Sequence, residues 1–143
     1  MGFDYSFLAS LLLFSAVVAE GVTARRPDQP QVECSRSCVA LNCNSIGIRY
    51  GKFCGVGWTG CPGENPCDEL DACCKVHDEC VDKSGMASVK CHESFKRCIK
   101  RTRKTGKAGF SRECPYEVAM PTMIQGMDMA ILFSQLGSSK YDL

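Results

Sequence analysis

The chain has 143 residues, a formal net charge of +1 and twelve cysteines. That length gives one domain, and the near-balanced charge does not point to a nucleic-acid binder. The cysteine density excludes an ordinary protein of a reducing compartment and fits a secreted scaffold whose small core is stapled by disulfides, six if all cysteines pair.

FLASLLLFSAVVA (Phe7 to Ala19) is a continuous apolar run, too short to span a bilayer comfortably and followed by small and polar residues. Residues 1–24 are predicted to be a signal peptide, with Ala19 as an alternative cleavage point, and 25–143 to be the domain. Its removal takes away Asp4 and Glu20 and no base, which raises the charge to +3. ARRPDQPQ (Ala24 to Gln31) reads as an exposed leader. Cys34 and Cys38 are four apart, a spacing that could share one face of a short helix. Residues 44–68 are rich in glycine and proline and read as loop, with no helix or strand period.

From Glu69 the pattern changes. ELDACCKVHDECVDK predicts a helix, with Asp68 as N-cap. KSGM (Lys83 to Met86) breaks it. SVKCHESFKRCIKRTRK predicts a second helix, capped by Ser88 and basic at its C-terminus. A third helical region runs from about Thr122 to Leu136. The short break makes the first two helices antiparallel. Cys73 and Cys80 are seven apart, as are Cys91 and Cys98, so bridges Cys73–Cys98 and Cys80–Cys91 would be in register.

His77 lies four residues after Cys73 and three before Cys80, on the riveted face, with Asp78 one position on. Zinc is disfavoured because no C-x-x-C occurs, and the same absence disfavours a redox dithiol. The glycines of YGKFCGVGWTGC (Tyr50 to Cys61) could turn backbone carbonyls toward a hard cation, which would take its carboxylate from Asp78. An ordinary disulfide-held loop, beside a packed histidine and a surface aspartate, is the alternative reading of the same letters.

YGKFCGVGWTGC and DACCKVHDEC (Asp71 to Cys80) together resemble the secreted phospholipase A2 family in its small plant form. The first is similar to the calcium loop Y-G-x-x-C-G-x-G, the second to the active-site helix D-x-C-C-x-x-H-D-x-C. The resemblance implies an all-α, disulfide-rich fold of two antiparallel bridged helices, a calcium loop and a C-terminal helical region. It implies Ca²⁺-dependent hydrolysis of the sn-2 ester of glycerophospholipids, releasing a fatty acid and a lysophospholipid. Its roles fall on His77 as general base, on the Phe53, Gly55 and Gly57 carbonyls and the Asp78 carboxylate as Ca²⁺ ligands, and on the Gly55 N–H as oxyanion donor. It also implies a Cys54–Cys74 bridge. The animal pattern has an aspartate behind the catalytic histidine; here that position is His92, with Ser94 as a neighbouring substitute that could face His77.

The expected partner is a phospholipid membrane surface or micelle, met by a monomer, with no nucleic acid. A non-catalytic binding module and a plain disulfide scaffold are the rival classes. FKRCIKRTRKTGK (Phe95 to Lys107) carries seven bases and reads as a solvated face with some attraction to anionic lipid. The methionine-rich run after Met120 reads as core. Secretion to the extracellular space is the expected address, with retrieval to the endoplasmic reticulum through the KYDL tail (Lys140 to Leu143) as the lesser alternative.

Overall fold

A computed structural model of the chain describes residues 33–138. The expected signal peptide, the leader and the KYDL tail lie outside the described residues. Three helices dominate: α1 (Glu69–Ser84), α2 (Val89–Lys104) and α3 (Tyr116–Ser138). Four three-residue strands precede them: β1 (Glu33–Ser35), β2 (Val39–Leu41), β3 (Arg49–Gly51) and β4 (Trp58–Gly60). β1 pairs with β4 in parallel, Cys34 opposite Thr59, and β2 pairs with β3 antiparallel, Ala40 opposite Tyr50. The helical, disulfide-rich expectation holds, with two small sheets added.

Both long helices begin where their caps predict. Asp68 accepts a hydrogen bond from the Asp71 N–H at 3.0 Å, and Ser88 accepts from the Cys91 N–H at 3.4 Å, each satisfying a donor that the first turn leaves without a partner. Gly85, at φ 88°, ends α1 by returning its N–H to the Val81 carbonyl. The bridges Cys73–Cys98 and Cys80–Cys91 join α1 to α2, with Cα separations of 5.8 and 5.7 Å. α2 packs on α1 and on α3. The core between them holds Leu70, Ile99 and Met120, each at most 1 % exposed. Burying side chains of this size contributes roughly 1.5–3 kcal/mol apiece.

Three local expectations change. Cys34 and Cys38 share no helix: Cys34 lies in β1 and bonds to Cys61, and Cys38 bonds to Cys67. A segment of that length cannot meet the cost of helix nucleation, and both cysteines are tied instead to the loop ahead of α1. Residues 44–68 are not loop throughout, because β3 and β4 lie within them. α3 begins at Tyr116 rather than near Thr122. The Pro115 carbonyl accepts from the Val118 and Ala119 N–H groups, opening the helix directly after Cys114. Pro121 sits inside the helix and deletes one backbone donor, while Tyr116, Ala119, Met120 and Met123 are buried around it.

Candidate active site

α1 carries the site because one face of it does two jobs. Asp71 and Asp78 are seven residues apart, two turns on the same stripe. Asp71 is fully buried and accepts from three backbone N–H groups: Lys52 at 2.9 Å, Phe53 at 2.8 Å and Cys67 at 2.8 Å. That carboxylate ties the 50–60 loop to the helix. Gly51, at φ 65°, lets the backbone come this close, since a Cβ there would lie 2.1 Å from the Asp71 carboxyl carbon. The bridge Cys54–Cys74, with Cα atoms 5.1 Å apart, makes a second tie one turn further along α1. Asp71 opens the DACCKVHDEC stretch of α1, and the motif alone gives it no role. Its signal was its place seven residues before Asp78.

The ties bring Gly55, Gly57 and Thr59 to the same open cleft as His77 and Asp78, a space of about 290 Å³ also lined by Phe95 and Met123. Asp78 accepts from the Thr59 hydroxyl at 3.0 Å. Burial pushes its carboxyl up to about 7, with the negative charges of Asp82, Asp71 and Glu79 adding to the effect and the Thr59 bond opposing it. Among the described residues Asp78 is in no ion pair. A half-buried carboxylate short of positive charge, facing a loop whose glycines adopt positive φ (Gly55 151°, Gly57 65°), suits a hard cation with oxygen ligands. Among the described residues no three His, Cys, Asp or Glu side chains gather to hold a metal, so this donor set is one carboxylate plus backbone carbonyls. The residues fit Ca²⁺ in kind. The Gly55 carbonyl also accepts the Trp58 N–H at 3.3 Å, leaving it one further lone pair.

His77 leans on α2. Its Nε2 lies 3.0 Å from Nδ1 of His92, and Nε2 of His92 lies 2.9 Å from the Met86 carbonyl oxygen. A carbonyl only accepts, so Nε2 of His92 carries the proton and its Nδ1 presents a lone pair. His77 then donates from Nε2, and its own Nδ1 is left as the basic nitrogen. Burial, and secondarily the electrostatic influence of the neighbouring His92, lower the His77 pKa to about 4, which keeps the ring neutral at neutral pH. Phe95 covers it, with ring centroids 4.8 Å apart. Ser94 does not face His77. It is exposed, two residues and so about 200° around α2 from His92, and His92 and Phe95 meet the imidazole in its place. The Met86 carbonyl could not be anticipated, because a backbone oxygen has no letter of its own. Trp58 also lines the cleft, its ring beneath the Arg49 guanidinium at 4.6 Å.

No family model matches the chain. Relatives do. It is 62 % identical over 134 residues to a probable phospholipase A2 homolog 1 of Oryza sativa subsp. japonica, covering 94 % of this chain and 97 % of that one. It is 50 % identical over 145 residues to phospholipase A2-beta of Arabidopsis thaliana, covering 92 % and 95 %. Among solved structures, rice phospholipase A2 superposes with a TM-score of 0.67 at 35 % identity, over 75 % of this chain and 91 % of that one. Rice phospholipase A2 in complex with octanoic acid gives a TM-score of 0.66 at 35 % identity, over 75 % and 95 %. With the bridged helix pair and the glycine loop tied to α1, these similarities place the chain in the secreted phospholipase A2 family, in its small plant form.

Proposed function

We propose that the chain hydrolyses the sn-2 ester of glycerophospholipids in a Ca²⁺-dependent reaction, releasing a fatty acid and a lysophospholipid. The observation that carries this reading is the His77–His92–Met86 chain of hydrogen bonds, which leaves a neutral imidazole with a free basic nitrogen one residue from Asp78.

In this mechanism Nδ1 of His77 takes a proton from water as the oxygen attacks the sn-2 carbonyl carbon. The imidazolium formed donates from Nε2 to His92 and returns the new proton to the leaving glycerol oxygen. His92 is a positioning residue that holds the ring in one tautomer. The Gly55 N–H faces the developing oxyanion. The carbonyls of Phe53, Gly55 and Gly57 and the carboxylate of Asp78 would hold Ca²⁺, which supplies positive charge for the substrate phosphate and for the oxyanion. Phe95, Met123 and Met127 give the cleft apolar walls for an acyl chain, in keeping with the octanoic acid complex of the rice enzyme.

The protein acts as a secreted monomer at a phospholipid membrane or micelle surface. Among the described residues no helix is long and apolar enough to cross a membrane. A binding-only reading drew on the missing aspartate behind His77; His92 at 3.0 Å supplies an acceptor there. The deciding measurement is fatty-acid release from vesicles labelled separately at sn-1 and sn-2, with Ca²⁺ and with chelator. Release of the sn-2 acid with Ca²⁺ alone is expected, and equal release under chelation would overturn the reading.

A further inference from the structure

The basic run of α2 has no part in the hydrolytic site. Phe95 marks the face of α2 that lines the cleft. At about 100° per residue, Lys90, Arg97, Lys100, Arg101 and Lys104 all fall within about 60° of the opposite direction. All five are exposed, and among the described residues none is in an ion pair. The one acid on this face, Glu93, is held by Lys96 at 3.3 Å, and Lys96 also bonds to Asp128 on α3 at 2.6 Å. The cations therefore form a stripe roughly 21 Å long, at 1.5 Å per residue. A net charge of +1 hides it, because acids such as Glu79 and Asp82 are exposed on α1 instead.

We propose that this stripe docks a linear polyanionic polysaccharide, a polymer of carboxylate-bearing sugars. Charge complementarity names an anion, and a row of cations along one helix matches a strand better than a compact ligand. A bilayer fits less well. Lipid must enter at the cleft, so a flat membrane presented there lies on the side of α2 away from the stripe. The stripe itself also adds no exposed apolar anchor, since the other residues of α2 within that arc are Glu93 and the half-buried Val89. No aromatic ring lies along it to stack on the bases of a single-stranded nucleic acid. The protein could thus hold a polymer on one side while its cleft faces lipid on the other.

The test is titration of the oxidised protein with polygalacturonate, with neutral dextran as control, at low and at high salt. Binding that weakens steeply with salt is expected for polygalacturonate alone. Replacing the exposed Arg97, Lys100, Arg101 and Lys104 together by glutamine should weaken it by about tenfold or more, with hydrolysis of micellar substrate unchanged. A charge-matched variant carrying glutamine at Arg36, Lys83, Lys107 and Arg112 should keep most of the binding. Absence of polygalacturonate binding at low salt would overturn the proposal. So would equal weakening in the two variants, which would mark a general charge effect. Tighter binding of duplex DNA, or of phosphatidylglycerol vesicles through the same four cations, would replace it with a different partner. Because binding is read directly, loss of hydrolytic activity and loss of polymer binding remain separate outcomes.

Discussion

At the scale of single residues, the proposed mechanism divides the work around His77 between His92 and Asp78. His92 is 1 % exposed and makes one hydrogen bond on each side of its ring. His92→Leu fills similar space but accepts nothing, so Nε2 of His77 loses its partner and the ring its fixed tautomer. We expect kcat in mixed micelles to fall by about tenfold to a hundredfold, the scale of a misplaced catalytic group, with KM little changed. His92→Asp should recover part of the rate, because a carboxylate also accepts from Nε2. If His92→Leu turns over at the wild-type rate, positioning by His92 is wrong. Asp78→Asn acts differently. It removes the negative charge and the paired oxygens from the loop site. Ca²⁺ affinity measured by calorimetry should drop by more than about a hundredfold, beyond the effect of a partner outside the ligand shell, and turnover should fall with it. The far-ultraviolet spectrum should not change. Wild-type affinity would take Asp78 out of the metal site.

At the scale of elements, the loop and α1 behave as one body because Asp71 accepts three backbone donors at once. Asp71→Asn leaves a side chain of the same shape whose amide end can only donate toward those N–H groups. We expect a loss of about 2–4 kcal/mol in denaturant unfolding of the oxidised protein, the sum of weakened charged hydrogen bonds and a buried group left without a partner. Ca²⁺ affinity should fall although no proposed ligand has changed. Stability equal to wild type would show that the disulfides alone hold the loop. The same elements show what could be read in advance. α1 and α2 were legible because caps, cysteines seven apart and a glycine stop all agree on them. The placement of His77 and Asp78 toward one cleft was legible because their neighbours fix the helix face. β1 to β4 were not, since three residues are too few to display an alternating period. The start of α3 was hidden by Pro121, which reads locally as a stop although burial of Tyr116 and Met120 carries the helix through it.

At the scale of the whole molecule, all twelve cysteines are paired, and the bridges differ in what they close. Cys43–Cys114 spans 71 residues and ties the segment after β2 to the start of α3, away from His77. Replacing both cysteines by serine should cost about 2–5 kcal/mol, read as a lower Tm, while turnover at low temperature persists. Loss of turnover without loss of Tm would contradict this division. Cys54–Cys74, Cys73–Cys98 and Cys80–Cys91 instead flank His77 and Asp78 along α1. They place the loop against α1, and His77 of α1 within hydrogen-bond reach of His92. A chain still under reducing conditions lacks each of these links, so His77, His92 and the loop are not yet one assembly. Such a chain should show no turnover on micellar substrate until the bridges form. Oxidation then serves as the arming step, and the bridged centre comes into being only as these three disulfides close.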